Sequence, residues 1–334
     1  MHRRSLLLAA ASAASLGSLT GCRSSTPTPT TSASTSPAAP ATSAAPPPKI
    51  VDGPLPAITA GTRFGEKPTL AKAKGQPSKD LAVRTVIAGN GPTAAANDYV
   101  QVDFLGQIWG TAKDFDNSYD RKKSVFIRLD PTGTLDGWRY ALTGKKAGSR
   151  IELSVPPTWA MGTQGNAQLG IKGSDTLIFV MDVQATFNAK SSAHGRKAAP
   201  NDAALPKVGT NTDGKAPVID IPKTAAPGKL VANYVLKGNG PAVKADSAVL
   251  LQYKGVVWDT GKEFDSTYSR NAPTALTLQQ VIKGWSQGLT GKNVGSRVLL
   301  VVPPNLAYGN SPPPGGPIKN DSTLVFTVDI LAAS

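Results

Sequence analysis

Two closely similar stretches contain the residues that could do chemistry. They are YKGVVWDTGKEFDSTYSR at residues 253–270 and FLGQIWGTAKDFDNSYDR at residues 104–121. Each contains a Phe-Asp pair, which sets a carboxylate beside an aromatic ring, but the first aromatic residue is Tyr253 in one stretch and Phe104 in the other. The pattern indicates one unit that occurs twice, with a hydroxyl group missing from the first copy.

The commonest kinds of catalytic site are excluded by the residues that these copies lack. The only histidines are His2 and His194, and the only cysteine is Cys22. A Ser-His-Asp triad, a Cys-His pair and a His/Cys zinc site are therefore unavailable, and no GxxxxGK[ST] phosphate-binding loop occurs. Catalysis by this chain would have to proceed without a proton shuttle or nucleophile, and we expect no cofactor and no metal.

A repeat with a nearly constant offset divides the chain into two domains. The motif GNGP begins at residues 89 and 238, which are 149 apart, and GSR begins at residues 148 and 295, which are 147 apart. Only two copies occur, so this is a duplicated domain and each copy must bury its own core. We predict domains at residues 62–187 and 211–334, joined by a linker at residues 188–210.

The apolar pattern of the second copy predicts an α+β domain. Residues 247–258 and 296–302 are rich in Val, Leu and Tyr, and residues 323–331 alternate between apolar and polar side chains. These patterns indicate antiparallel strands. Residues 278–289 have helical spacing of apolar side chains, and Gly291 follows as a stop signal. We therefore expect a curved antiparallel sheet wrapped around a short helix.

The first 61 residues predict export and attachment to a membrane. Residues 1–22 begin with basic side chains, continue with an apolar run and end at Cys22, which is typical of a signal peptide. The last four residues, Leu-Thr-Gly-Cys, resemble the bacterial lipobox, so we expect lipidation at Cys22 and anchoring to the outer face of the cell membrane. Residues 23–61, rich in Ser, Thr, Pro and Ala, would form a tether. Arg3 and Arg4 leave both the general and the twin-arginine export routes open.

The formal net charge of +14 does not indicate a nucleic-acid partner. Its Lys and Arg residues are scattered, with no run of five or more. An exported basic protein instead meets anionic lipids or wall polymers through its general electrostatic field. We expect a monomer that binds no nucleic acid.

A series of motifs in the second copy resembles FKBP-type peptidyl-prolyl cis-trans isomerases. In order along the chain they are YxG at 253–255, FDS at 264–266, VIxGW at 281–285, VPP at 302–304, AYG at 307–309 and TLVF at 323–326. The resemblance implies tandem FKBP-like domains, isomerisation of X-Pro bonds, and unfolded or folding proline-containing polypeptides as partners. The implied activity agrees with the absence of histidine and cysteine from both copies, since rotation about an amide needs no acid or base. The barrier of about 18–20 kcal/mol arises from lost resonance, and an apolar pocket favours the twisted amide.

The resemblance also implies which residues form the catalytic pocket of the second domain. Trp285 would be the floor, and the walls would be Tyr253, Phe264, Val281, Ile282 and Phe326. Asp265 would face the twisted carbonyl or hold a neighbouring group, while the Tyr308 hydroxyl and the Ile282 backbone NH would donate to substrate carbonyls. Judged from the residues alone, the apolar members are equally compatible with an ordinary core, Asp265 with a turn and Tyr308 with an exposed surface. Arg270 is expected to pair with a nearby acid.

The first copy keeps most of the apolar residues of this pocket and loses polar ones. Its degenerate substrate-binding set would be Phe104, Phe115, Asp116, Leu135, Trp138, Met161 and Phe179. Phe104 and Met161 stand where the second copy has Tyr253 and Tyr308, so two hydroxyl groups are missing. Each lost hydrogen bond is worth about 0.5–1.5 kcal/mol, and we therefore expect the second domain to supply most of the activity.

Two other functions are compatible with the same sequence. A non-catalytic peptide-binding or chaperone module is suggested by the altered first pocket and by the excess positive charge. A structural wall or surface protein with two inert domains is the third hypothesis. An isomerase assisting the folding of extracytoplasmic proteins is the one that accounts for the full set of pocket residues.

Overall fold

The structure is a computed structural model that describes residues 47–199 and 202–334. The predicted signal peptide, Cys22 and the tether up to residue 46 lie outside the described residues. Within the described ranges two seven-stranded sheets form, one in each half of the chain, and each is accompanied by one short α-helix. This arrangement confirms the predicted α+β class and the tandem organisation. None of the helices in these ranges is both long enough and apolar enough to span a membrane.

The first domain is built from nine strands and one helix. In chain order its strands are β1 (Ile50–Val51), β2 (Ile58–Ala60), β3 (Thr69–Leu70), β4 (Leu81–Ile87), β5 (Tyr99–Ile108), β6 (Asp114–Asn117), β7 (Val125–Arg128), β8 (Arg150–Val155) and β9 (Leu177–Phe187). The main sheet has the order β1-β4-β8-β9-β5-β6, with β7 paired to β5, and β2 pairs with β3 separately. Helix α1 (Asp136–Leu142) buries Trp138, Ala141 and Leu142 against this sheet.

The second domain repeats the same order of elements. Its strands are β10 (Arg196–Lys197), β11 (Lys207–Val208), β12 (Ile219–Asp220), β13 (Val231–Lys237), β14 (Ala248–Val257), β15 (Glu263–Ser266), β16 (Thr274–Thr277), β17 (Arg297–Val302) and β18 (Leu324–Ala333). The main sheet has the order β10-β13-β17-β18-β14-β15, with β16 paired to β14, and β11 pairs with β12. Helix α2 (Lys283–Leu289) buries Trp285 and Leu289 against it.

The helix of the second domain is shorter than its apolar spacing predicts. Leu278–Gln280 form a 3-10 turn, Val281 is extended, and α2 begins only after Ile282. The β-branched side chains of Val281 and Ile282 suit an extended backbone better than a helix. Because Ile282 precedes the helix, its backbone NH has no acceptor within the helix.

Two segments that we predicted to be tether and linker are partly built into the sheets. In the supposed tether, β1 pairs in parallel with β4, and in the supposed linker, β10 pairs with β13. The structured part of the first domain therefore begins before residue 62, and that of the second begins before residue 211. Only isolated apolar side chains of these segments, such as Ile58 and Leu205, pack against the domains, and backbone hydrogen bonds supply much of the rest, so their composition gave no apolar period.

A buried arginine–aspartate pair fixes these segments to each sheet. In the second domain, Arg297 Nε and Nη2 donate to Asp329 at 2.6 and 2.7 Å, and Arg297 Nη1 donates to the carbonyls of Gly209 and Asn211, both at 2.8 Å. Asp329 also accepts a hydrogen bond from the Ala193 NH at 2.9 Å. The first domain has the same pair in Arg150 and Asp182, with Nε to Oδ1 at 2.6 Å.

The two domains also contact each other directly. Tyr99, Phe126 and Phe187 of the first domain pack against an apolar cluster in the second that includes Leu250 and Leu331. Lys123 forms an ion pair with Asp246 across the same junction. None of these junction residues belongs to the predicted pocket set of either domain.

We predict that Arg297→Met strongly destabilises the second domain. It leaves the Asp329 carboxylate buried without its partner, which costs about 3–5 kcal/mol, and it also releases the Gly209 and Asn211 carbonyls. Urea unfolding of the full chain, with hydrogen–deuterium exchange to follow each domain separately, measures the loss. The exposed control Lys223→Met is expected to change stability by less than about 0.5 kcal/mol. A loss in Arg297→Met no larger than in this control would contradict the assignment.

Candidate functional site

The predicted pocket residues of the second domain come from five separate elements that meet on one side of the sheet. Tyr253 lies on β14, Phe264 and Asp265 on β15, and Phe326 on β18. Trp285 lies on α2, and Val281 and Ile282 lie in the segment just before it. Tyr308 follows the 3-10 turn Pro304–Leu306. The predicted residues thus contribute to one region, although they span more than 70 positions of the chain.

Aromatic rings form the floor and walls of this region in edge-to-face contacts. The Trp285 ring centroid lies 5.0 Å from that of Tyr253 and 5.2 Å from that of Phe326, with interplanar angles of 88° and 87°. Phe264 contacts Phe326 in the same way at 5.4 Å. Edge-to-face packing suits the ring quadrupoles and holds each ring in a defined orientation. The result is a rigid apolar surface centred on Trp285.

A glycine makes this close packing possible. In the YxG motif, Gly255 lies on β14 beneath the rings, and a Cβ atom there would approach Phe264 to 2.7 Å and Phe326 to 2.9 Å. Contacts that short do not occur between real side chains, so any other residue would push the rings apart. In the first domain, a Cβ atom at Gly106 would likewise approach Phe115 to 2.6 Å and Phe179 to 3.0 Å.

Three polar side chains form a closed network at one wall of the pocket. The Tyr253 hydroxyl donates to Asp265 Oδ2, and Arg270 Nη1 donates to Asp265 Oδ1. Arg270 Nη2 also donates to the Tyr253 hydroxyl oxygen at 3.1 Å. Burial, together with the hydrogen bond to Asp265, raises the pKa of Tyr253 to about 12. The Tyr253 hydroxyl is therefore a neutral donor at physiological pH, and it is used to position Asp265.

Tyr308 differs from Tyr253 because its hydroxyl makes no hydrogen bond within the described part of the chain. The residue is 37% exposed. Partial burial, followed by the nearby Asp265 charge, raises its pKa, so this hydroxyl also stays protonated. The influence of Asp265 indicates that both groups belong to one site. Tyr308 thus provides a hydrogen-bond donor that a ligand could use.

The first domain lacks one member of the polar network. Arg121 pairs with Asp116 Oδ1, but Asp116 Oδ2 is buried with no hydrogen-bond partner. Phe104 stands where Tyr253 would donate, and the Arg121 guanidinium lies 5.7 Å from its ring, the same distance as Arg270 from the Tyr253 ring. The Asp116 side chain is 8% exposed and that of Asp265 is 38% exposed. Because this hydroxyl is missing, Asp116 Oδ2 has no hydrogen-bond partner, although the Asp116 side chain is more buried than that of Asp265.

The loop after β8 carries larger apolar side chains in the first domain than in the second. The predicted residues Phe104, Phe115, Asp116, Leu135, Trp138, Met161 and Phe179 do come together, and the floor residue is buried in both domains, with Trp138 1% and Trp285 5% exposed. Trp159, Met161 and Leu169 pack against the cluster of Trp138, and at the repeat offset of 147 they correspond to Leu306, Tyr308 and Gly316. The sequence reasoning missed Trp159 and Leu169. Comparing the two copies in the loop after β8 would have revealed both larger side chains.

Comparison with known proteins gives a match in each domain. The family model described as FKBP-type peptidyl-prolyl cis-trans isomerase matches residues 91–184 and 240–331. The FK506-binding protein of Streptomyces anulatus is 39% identical over 118 residues, which are 35% of this chain and 95% of that protein. The FKBP-type peptidyl-prolyl cis-trans isomerase FkpA of Escherichia coli (strain K12) is 45% identical over 109 residues, 33% of this chain and 39% of that protein. The crystal structure of FkpA from Escherichia coli aligns with 31% of this chain and 48% of that chain, at 44% identity and a TM-score of 0.30.

We predict opposite stability effects when the aromatic residues of the two networks are exchanged. Phe104→Tyr supplies a donor for the buried Asp116 Oδ2 and is expected to stabilise the first domain by about 1 kcal/mol, whereas Tyr253→Phe is expected to destabilise the second by about 1–3 kcal/mol. Urea unfolding with domain-resolved hydrogen exchange measures both. Each variant is the control for the other, because the same atom is added in one and removed in the other. Destabilisation by both would mean that the two networks are not equivalent.

Proposed function

This chain belongs to the family of FKBP-type peptidyl-prolyl cis-trans isomerases, and we propose that its second domain carries most of the isomerase activity. The observation that supports this proposal is the difference between the two pockets. The second domain has a complete polar network around Asp265 and a partly exposed Tyr308 whose hydroxyl makes no hydrogen bond within the described residues. The first domain leaves Asp116 Oδ2 without a partner and has Met161 in place of Tyr308.

In the proposed mechanism, apolar side chains of the pocket replace water around the X-Pro amide. A proline ring would rest on Trp285 between Tyr253 and Phe326. Water stabilises the planar, charge-separated amide more than the twisted one, so transfer of the X-Pro bond to this apolar surface lowers the rotational barrier. The Tyr308 hydroxyl and the Ile282 backbone NH would donate to carbonyls of the bound peptide and fix its orientation.

The Asp265 carboxylate would already be held in its working orientation before the substrate binds. Arg270 and Tyr253 hold its two oxygens, so neither the carboxylate nor the Tyr253 ring needs to reorganise during the reaction. A fixed charge beside the amide is more effective than a mobile one, because no reorganisation energy is spent in the transition state. No proton transfer is required of any of these groups.

We further propose that the protein is an exported lipoprotein whose substrates are proline-containing polypeptides that fold outside the cytoplasm. The support is the sequence pattern of residues 1–22, which ends at Cys22, the only cysteine of the chain. A lipid at this position and the Ser/Thr/Pro/Ala-rich residues that follow would hold the two domains near the membrane surface.

We predict that activity depends on the tryptophan of the second domain and not on that of the first. In the full chain, Trp285→Phe is expected to lower kcat/KM for a proline-containing peptide by about tenfold or more, because the floor shrinks and the proline ring loses contact area. The matched variant Trp138→Phe is expected to leave kcat/KM within about twofold. A larger loss in Trp138→Phe than in Trp285→Phe would assign the activity to the first domain. No acceleration by the folded wild-type chain would refute the proposed function.

We predict that Cys22→Ala releases the protein from the membrane without affecting catalysis. Without the thiol no lipid can be attached, so the protein should move from the membrane fraction to the soluble fraction of the producing cells. The control Ser18→Ala changes a small residue of the same segment and should leave the protein membrane-bound. Membrane retention of Cys22→Ala equal to that of the control would exclude anchoring at this residue.

A further inference from the structure

Positively charged side chains line an open cavity of about 720 Å³ at the β10 edge of the second sheet. The cavity walls include His194, Arg196, Lys197, Tyr234 and Lys237. Among the residues that the structure describes, Arg196, Lys197 and Lys237 take part in no ion pair. The cavity is therefore lined by cations for which the protein provides no counter-charge.

Two of these cations face each other across a strand pair. Arg196 on β10 lies directly opposite Lys237 on β13 in the antiparallel register, and directly opposed side chains project from the same face of a sheet. Like charges in this position destabilise strand pairing. A pairing of Arg with Lys is therefore a cost to the fold that a bound anion would offset.

A fourth cation, Lys292, lies beside the residues that line the cavity. Its Nζ lies 4.5 Å from the centroid of the Tyr234 ring and donates to the Ala232 carbonyl at 2.7 Å, and Lys237 Nζ lies 5.6 Å from the same ring. Burial, together with the charge of Lys237, lowers the pKa of Lys292. The Tyr234 ring compensates the two ammonium groups only in part, since a cation–π contact is weaker than an ion pair with a desolvated carboxylate.

The backbone that carries these cations is held rigidly. The NH groups of His194 and Gly195 donate to the Gly295 carbonyl at 3.1 and 3.0 Å, and the Ala198 NH donates to the Val235 carbonyl at 3.0 Å. These hydrogen bonds flank β10 on both sides. Binding at this cavity would therefore order little backbone, which lowers the entropic cost of association.

The first domain has no comparable concentration of charge. At the repeat offset of 149, Tyr234 and Lys237 correspond to Thr85 and Ala88. Lys145, the counterpart of Lys292, donates to the Thr85 hydroxyl at 3.0 Å, and β1 in the place of β10 consists of Ile50 and Val51. The cluster is therefore a property of the second domain and not a requirement of the fold.

We propose that this cavity binds a phosphate-bearing anion, with Arg196 and Lys237 as ligands and the Tyr234 ring as an apolar wall. A guanidinium presents paired donors that match phosphate oxygens, and the lysine adds charge. The anion would be either a soluble phosphate compound or the headgroup of an anionic phospholipid. In the order β10-β13-β17-β18-β14-β15, this cavity and Asp265 lie at opposite edges of the sheet, so the site is separate from the isomerase pocket.

The test compares two double variants of the full chain that remove the same charge. Isothermal titration with inorganic pyrophosphate is expected to show binding that Arg196→Gln/Lys237→Gln weakens by about tenfold or more. The control, Lys223→Gln/Lys229→Gln, removes two exposed lysines elsewhere in the domain and is expected to stay within about twofold. Co-sedimentation with phosphatidylglycerol vesicles, and with phosphatidylcholine vesicles as the reference, tests the headgroup. This arm uses Cys22→Ala chains so that no lipid anchor contributes.

A second readout separates a lost ligand site from a damaged fold. In phosphate-free buffer, Arg196→Gln/Lys237→Gln is expected to raise the melting temperature by about 1–3 °C, because it relieves the cross-strand repulsion. The stabilisation that pyrophosphate gives the wild type should disappear in this variant. Binding to vesicles alone would identify the lipid headgroup, and binding to pyrophosphate alone would identify a soluble anion. The proposal is overturned if neither probe binds, or if both double variants lose binding equally, which would assign it to the general positive field.

Discussion

Each pocket depends on how a carboxylate is held beside aromatic rings. In the second domain Tyr253 and Arg270 satisfy both oxygens of Asp265, and the same hydroxyl fixes the Tyr253 ring edge-on to Trp285. The polar network and the apolar floor are therefore one structure, because Tyr253 belongs to both. In the first domain Phe104 keeps the ring contact with Trp138 but leaves Asp116 Oδ2 unpaired. The presence or absence of one hydroxyl oxygen thus decides whether both oxygens of the carboxylate accept hydrogen bonds, as in Asp265, or one stays unpaired, as in Asp116.

The first domain has larger apolar side chains beside its pocket residues than the second domain has. Trp159, Met161 and Leu169 pack against its core, and burial of their apolar surface offsets the cost of an unsatisfied carboxylate oxygen. The domain is still connected to its neighbour, through Phe126 and Phe187 against Leu331. The first domain therefore also provides an apolar packing surface for the second.

The sequence was informative where side chains determine structure and uninformative where the backbone does. The aromatic set around Trp285 could be predicted because the ordered motifs of the second copy resemble a known family, and the α+β class because the strand and helix patterns are visible in the chain. The strands β1 and β10 could not, since backbone pairing places them in the sheets and arginine side chains from distant strands bind carbonyls of their segments. Trp159 escaped notice because it lies in the irregular 3-10 turn Pro157–Trp159, where no periodicity marks it as part of the pocket. The extended backbone at Ile282 was obscured by apolar spacing that also fits a helix.

The segment before the second domain shows how a buried pair can shape a distant surface. Asp329 accepts hydrogen bonds from Arg297 and from the Ala193 NH. Arg297 in turn donates to the Gly209 and Asn211 carbonyls. The two ends of this segment are therefore fixed to one ion pair in the sheet, with β10 between them. This attachment, together with the backbone hydrogen bonds that flank β10, keeps Arg196 opposite Lys237. The buried pair thus helps to hold close together two cations that repel each other.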